Sequence, residues 1–267
     1  MSKRSASSSG VSVIKIGGST LGNHDTSLDD IAELHGEGRR IVVVHGGGAT
    51  ISEWLDRHGV ESRFVRGLRV TDEAALDVVV AVLAGVVNKR LVVELESRGS
   101  SAIGLSGADG GILRAQRYDA ELGYVGEVAH VDPKPILKIV DAGSICVMAP
   151  IAVEGDRDSV AAQLLNVNAD TAAGEVAAAL SAEHLVFLSD VAGVLDESGQ
   201  VRPELTAAEA SELLRGESIT GGMIPKLQAA VGAASSGVST FVADGREAGA
   251  LRKLIGESEH AVATRIS

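Results

Sequence analysis

Glycines and lysines are the residues in this chain whose types and spacing could do chemistry. Gly17-Gly18 ends the β-branched run Val11-Ser-Val-Ile-Lys-Ile, and Gly46-Gly47-Gly48 follows the apolar run 41–44 and His45. Each run reads as a buried parallel strand entering a tight loop, so both clusters fall at one edge of a sheet. Ligands of α/β sheets bind beyond the strand C-termini, where glycine lets backbone N–H groups approach anionic oxygens. Either cluster alone is equally explained as a strand–helix turn; together they point to an anion site. Only seven of the 24 cationic residues are lysine, so a lysine inside an apolar strand needs a reason. Lys15 alternates with Val11 and Val13 and brings an ammonium to the first glycine pair, the plain alternative being a strand-end lysine that reaches water along its stem. Lys226 follows Gly221-Gly222 and Pro225, a residue favoured at the first helical position. A positive charge there opposes the helix dipole unless an anion is bound nearby.

Asp170 stands at the N-cap position before Thr171-Ala-Ala-Gly, which alone accounts for its type. It does not account for the polar run Asn166-Val-Asn-Ala-Asp leading into it, so capping and a site role are both open. Asp190 ends another strand, as a turn former or a nucleotide-loop residue. There is no G-x-x-x-x-G-K-[ST] and no G-x-G-x-x-G, and His45-Gly-Gly-Gly has no accompanying G-x-S-x-G elbow, which excludes P-loop, dinucleotide-fingerprint and lipase-like readings. The seven histidines show no metal-ligand spacing.

These residues need a scaffold of alternating strands and helices. Strands are expected at 11–16, 41–44, 102–105, 145–149, 184–188 and 240–243. Helices are expected from 27, capped by Ser27 with Asp30 serving the first-turn amides; after the glycine cluster, through Trp54 to Arg57, closed by Gly59; and from Thr71 to about Gly99. Further helices are expected near 135–142, 170–180, after the capping box Thr206/Glu209, at 225–235 and at 248–255. The segment 78–87 is apolar on every side, so it must be buried between layers or against another chain. A polar hairpin spans 118–128. Strand–helix alternation implies a mainly parallel sheet covered on both faces, with two lobes meeting near 150–157.

At 267 residues the chain has ample length for a large core. Its net charge of −12 argues against nucleic-acid and anionic-membrane partners, and 2% aromatic residues against base-stacking surfaces. The single cysteine, Cys146, fits a reducing, cytoplasmic setting without a disulfide framework. The run 78–87 is about half the roughly 20 apolar residues of a membrane span, and 1–10 reads as a disordered lead-in without a signal-peptide core.

In this order, Lys15-Ile-Gly-Gly18, Val44-His-Gly-Gly-Gly48, Gly67-Leu-Arg-Val-Thr71, Gly104-Leu-Ser-Gly107, Leu122-Gly-Tyr-Val-Gly126, Asn166-Val-Asn-Ala-Asp170, Ser189-Asp-Val-Ala-Gly-Val194 and Gly221-Gly-Met-Ile-Pro-Lys226 resemble the amino acid kinase family. The resemblance covers nearly the whole chain after Gly10. It implies a three-layer αβα sandwich around a mainly parallel sheet, with an acyl amino acid lobe over about 11–153 and a nucleotide lobe over about 154–267. It implies ATP-dependent phosphorylation of the side-chain carboxylate of N-acetyl-L-glutamate, the second step of arginine biosynthesis, with Mg2+ carried on the nucleotide phosphates. Residue by residue, Lys15 and Lys226 would neutralise the transferred phosphoryl group and Asp170 would orient both. Gly17, Gly18, Gly47 and Gly48 would supply backbone donors, and Arg69 and Asn166 would hold the acyl substrate. Asp190, Val191, Ala192, Gly193, Val194 and Leu195, with Ser218, Ile219 and Thr220, would line the nucleotide pocket. Ala49 replaces a common proline, 27–36 is shorter than usual, and Ala263-Thr264 replaces a common Gly-Thr.

Two other functions stand beside this one: a kinase for carrier-protein-linked aminoadipate or glutamate, and a non-catalytic ligand-sensing module. Arginine-inhibited relatives carry an extra N-terminal helix that links dimers into hexamers. Residues 1–10 are fewer than the roughly 12–15 at which an isolated helix becomes marginal. The expectation is therefore a homodimer, insensitive to arginine, built on the 71–99 helix through Ala81, Ala84 and Gly85.

Overall fold

Short β-branched runs punctuated by glycine form the strands, and longer amphipathic stretches between them form the helices. The computed structural model describes residues 10–17, 26–156, 163–216, 219, 221–256 and 262–267. The expected lead-in (Gly10 apart), Gly18, Ser218 and Thr220 lie outside them.

In chain order the strands are β1 (Val11–Ile16), β2 (Arg40–His45), β3 (Phe64–Val65), β4 (Leu68–Arg69), β5 (Ala102–Ser106), β6 (Leu113–Arg117) and β7 (Val125–Val131). They continue with β8 (Ile145–Ala149), β9 (Ile151–Glu154), β10 (Leu164–Val167), β11 (His184–Ser189), β12 (Glu204–Leu205), β13 (Ser239–Asp244) and β14 (Ala263–Ile266). The helices are α1 (Ser27–Gly36), α2 (Gly48–Arg57), α3 (Glu73–Val80), α4 (Asn88–Ser97), α5 (Lys134–Asp141), α6 (Ala169–Ala179), α7 (Ala207–Arg215), α8 (Met223–Ser235) and α9 (Ala250–Ile255).

Eight strands build one sheet in the order β12-β14-β13-β11-β1-β2-β8-β5, parallel throughout except where β13 meets β14. Successive side chains of a strand point to opposite faces, and the two faces carry separate cores. Val13, Val44 and Phe187 pack with apolar residues of α5, α6 and α8 on one face. Ile14, Ile16 and Val43 pack with α1, α2 and the long helix on the other. This is the expected sandwich. β6, β7, β9 and β10 close into a small barrel beside the sheet, and β3 and β4 form a hairpin.

Four local expectations are corrected. Thr26, not Ser27, precedes α1; the Ser27 hydroxyl donates to Gly245 O, and Asp30 accepts from the Leu251 N–H at 3.1 Å, so its carboxylate serves α9 rather than its own helix. Asp72, not Thr71, caps the long helix by accepting from Ala75 N, while Thr71 is buried and tied into the barrel by the Tyr124 N–H. That helix has a π-helical segment, Ala81–Val87, between α3 and α4, and its Ala81 and Gly85 are exposed. Asn168, not Asp170, caps α6 by accepting from the N–H groups of Asp170 and Thr171. α8 begins two residues before Pro225, which still leaves Lys226 in its first turn.

Candidate active site

Register decides where the first lysine emerges. Lys15 pairs with Val44 on one side and Phe187 on the other, so its side chain leaves β1 on the face covered by α6 and α8. Asp170 lies in the first turn of α6 and Lys226 in the first turn of α8. The three meet: Lys15 Nζ lies 2.8 Å and Lys226 Nζ 3.3 Å from the same Asp170 oxygen, Oδ1. All three are less than a tenth exposed. The Lys226 ammonium also sits 5.5 Å over the Phe187 ring.

Two ammonium groups on one carboxylate leave the cluster with a surplus of positive charge. Burial would raise the Asp170 carboxyl, but Lys15 and Lys226 hold it below the usual carboxylate range. Burial pulls the Lys226 ammonium below its ordinary pKa; Asp170 opposes that shift and Lys15 adds to it. A buried cationic surplus is unfavourable unless an anion completes it.

Beside this cluster a cavity of about 170 Å³ is walled by Gly46, Gly47 and Gly48, the β3–β4 hairpin, Val125, Pro150 and residues 166–169. Arg69 is the one charged side chain among its described lining residues. The guanidinium donates to Gly48 O (3.0 Å), Ser52 Oγ (2.9 Å) and Ser62 Oγ, and lies over the Phe64 ring at 4.6 Å. Asn166, at the same cavity, donates from Nδ2 to Thr71 Oγ1 at 3.1 Å. A wider cleft of about 550 Å³ adjoins it, with Leu68, Val125 and Asn168 common to both and Thr171 and Pro225 on its wall.

The structure thus gathers Lys15, Asp170 and Lys226 in one cluster, and Gly47, Gly48, Arg69 and Asn166 around one cavity. Gly17 directly follows β1. The segment 190–195 follows β11; Val194 is buried and its N–H donates to Thr264 Oγ1 at 2.8 Å, while Val191 and Leu195 are exposed. A Cβ on Gly193 would lie 2.5 Å from that same Oγ1, so the loop can pack there only with glycine. Asp190 lies close enough to Lys226 to oppose weakly the lowering of that lysine's pKa, and its carbonyl accepts from Arg246. Ile219 packs at the edge of the α6–α8 core. Sequence reasoning missed Asn168, Ser52, Ser62 and Phe64. Only Asn168 carried a signal, inside the Asn166–Asp170 polar run.

A profile of the amino acid kinase family matches residues 10–244. The chain belongs to the amino acid kinase family. Within that family it is 45% identical to acetylglutamate kinase of Dehalococcoides mccartyi over 242 residues, covering 90% of this chain and 89% of that one. It is 44% identical over 239 residues to acetylglutamate kinase of Methanopyrus kandleri, covering 84% and 91%. Among solved structures, smu.665 of Streptococcus mutans superposes with a TM-score of 0.79 at 28% identity, covering 96% of this chain and 98% of that one. Among the described residues no helix is long and apolar enough to cross a membrane.

Proposed function

We propose that this amino acid kinase transfers the γ-phosphoryl group of ATP to the side-chain carboxylate of N-acetyl-L-glutamate, giving N-acetyl-L-glutamyl 5-phosphate and ADP, the second step of arginine biosynthesis. The carrying observation is the buried Lys15–Asp170–Lys226 cluster, whose surplus positive charge calls for an anion. A carboxylate oxygen attacks the γ-phosphorus; the new O–P bond forms as the bond to the β–γ bridging oxygen breaks and ADP leaves. Such a transfer needs positioning and electrostatic stabilisation more than a covalent nucleophile. Lys15 and Lys226 supply the stabilisation, and Asp170 holds both ammonium groups toward one point.

In this reading the cavity at Arg69 receives the acyl amino acid. Arg69 takes its α-carboxylate, Asn166 its amide, and the N–H groups of Gly17, Gly18, Gly47 and Gly48 take the oxygens at the reacting end. Val191 and Leu195 offer an apolar face for the base of ATP, with the rest of 190–195 and 218–220 around it. The acyl amino acid lobe is then about 11–153 and the nucleotide lobe about 154–267. No group of three or more His, Cys, Asp or Glu gathers among the described residues, and Asp170 Oδ1 is engaged by two ammonium groups. The residues present do not form a cage for Mg2+, which in this reading arrives on the nucleotide phosphates. We further propose that the enzyme works in the cytoplasm, where ATP is made available to biosynthesis, as a homodimer whose partner copy covers the exposed Ala81, Gly85 and Val93.

A coupled assay of ADP formation tests the reaction. N-acetyl-L-glutamate should be turned over well above N-acetyl-L-aminoadipate and free glutamate. Preference for the aminoadipate, or no ADP with any of these acids, would overturn the reading.

A further inference from the structure

The proposed reaction leaves unused a polar residue buried in the wall behind the glycine loop. Asn88 is fully buried at the junction where the π-helical segment gives way to α4. Its Nδ2 lies 3.1 Å from Leu105 O at the end of β5, 3.0 Å from Val147 O in β8, and 3.1 Å from His45 Nε2 at the end of β2. Its Oδ1 accepts from Lys89 Nζ at 2.9 Å, and that ammonium also donates to Gly104 O at 2.8 Å. Carbonyl acceptors on one side and an ammonium donor on the other fix which way the amide faces. His45 continues the chain. Gly46 O can only accept, so the His45 proton sits on Nδ1, which donates to it at 3.0 Å; Nε2 is left as an acceptor for Asn88, whose two Nδ2 N–H groups are shared among it, Leu105 O and Val147 O.

Two close approaches show that the surroundings are shaped for this arrangement. A Cβ on Gly104 would lie 2.1 Å from Asn88 Oδ1 and 2.8 Å from Lys89 Nζ, so the first glycine of Gly104-Leu-Ser-Gly107 makes room for Asn88 and Lys89. A Cβ on Gly47 would lie 2.7 Å from Leu83 and 3.3 Å from Val87, both in the π-helical segment. The loop therefore rests on the π-helical wall at Gly47 and is tied to the residue ending that wall through Gly46. π-Helical turns occur often at functional sites, because the extra residue per turn re-aims the side chains of the next helical turn.

We infer that Asn88 is a positioning residue: through His45 it holds the Gly46–Gly48 loop at the spacing that presents its N–H groups to the acyl substrate. The inference rests on the acyl amino acid kinase reading above. Burial keeps His45 neutral near pH 7, with its pKa near 4, and the Nδ1 bond to Gly46 O fixes the tautomer. A displacement of about 1 Å in a substrate-positioning group can cost on the order of 10²-fold in rate, so the effect belongs in kinetics even where stability changes little.

Asn88→Ala, His45→Phe and the double variant test this in the full chain, with ATP and N-acetyl-L-glutamate as substrates and thermal melting as the fold control. His45→Phe removes the link to Gly46 while leaving the Asn88 bonds to Leu105 O and Val147 O in place. Each folded single variant should lose about tenfold or more in kcat/KM for N-acetyl-L-glutamate, with KM for ATP within about twofold of the parent. The double variant should lose little more than His45→Phe alone, because the two act through one link. Wild-type kcat/KM in folded His45→Phe, an equal rise in both KM values, or additive losses would overturn the positioning role. If Asn88→Ala does not fold, His45→Phe alone decides. No turnover by the parent protein would bring down the acyl amino acid reading and this inference with it; turnover by the parent with unaltered variants brings down the positioning role alone.

Discussion

Two ammonium groups converging on one buried carboxylate oxygen make Lys226 the residue whose loss should be felt most in the chemical step. Lys226→Ala should lower kcat by about 10²–10³ with the fold kept, since one transition-state donor is worth that much; a folded variant at wild-type kcat would remove the lysine from the reaction. Arg69→Lys keeps the charge but loses the planar fork that engages Ser52, Ser62 and Gly48 at once. Its KM should rise for N-acetyl-L-glutamate far more than for ATP, and an equal rise would make Arg69 structural. His45 gives a stability test at the same scale. Burial lowers its folded pKa from 6.5 to about 4, so between those values the unfolded chain binds the proton that the folded chain refuses. Its contribution is complete above about pH 6.5 and shrinks by up to about 1.4 kcal/mol per pH unit as pH falls toward 4. The gap between wild type and His45→Phe in urea midpoint should narrow over that range; a constant gap would mean that the imidazole charges without cost. Lys15 and Lys226 were legible in the sequence because each breaks a local rule, one inside an apolar strand and the other against a helix dipole. Asn88 was not, because a buried amide bridging a helix and three strands has no one-dimensional signature. For Asp170 the sequence left capping and a site role open; the cap is Asn168, which leaves the Asp170 carboxylate to the lysines.

Helices α6 and α8 carry the carboxylate and one of its cations, so their spacing sets the charge cluster. Gly174 of α6 is the point of close approach, for a Cβ there would lie 3.0 Å from both Cβ and carbonyl oxygen of Ala229 in α8. Gly174→Val should push the helices apart, cost about 1–3 kcal/mol as overpacking does, and lower kcat along with stability. Chemical denaturation and steady-state kinetics on one preparation check this, and a variant as stable and active as wild type would show that α8 yields freely. Six of the eight sheet strands were legible as short apolar runs, whereas β12, of two residues, and β14, of four, were not; the Thr206–Glu209 capping box is present as expected. The barrel was legible only as a polar hairpin. Its strands β9 and β10 have four residues each, too few for alternation to stand out from loop sequence. The two-residue strands β3 and β4 left no periodicity at all, although they place Phe64 and Arg69. The middle of the long helix was expected to be buried all round; within one chain it is not, because the π-helical segment turns Ala81 and Gly85 outward.

For the whole molecule, that outward face is the surface on which the proposed homodimer would form. Val93 is 62% exposed, on a helix whose opposite side packs against the sheet. The small residues Ala81 and Gly85 permit close backbone approach, and a self-complementary patch on one helix is what a two-fold interface requires. The same helix supplies Leu83 and Val87 to the floor of the glycine loop and ends its π-helical segment at Asn88. Disturbance of the paired helices would therefore reach the acyl site through a short packed path. Val93→Glu puts a charge on the apolar part of the proposed seam, and its two copies approach each other across a two-fold axis. Light scattering should report a single chain for this variant against two for wild type, at the same concentration and salt. Its KM for N-acetyl-L-glutamate should rise more than its KM for ATP, because the wall behind Gly47 loses its external support. A wild-type protein that scatters as one chain would remove the homodimer, and a Val93→Glu protein that remains paired would place the contact elsewhere on the surface.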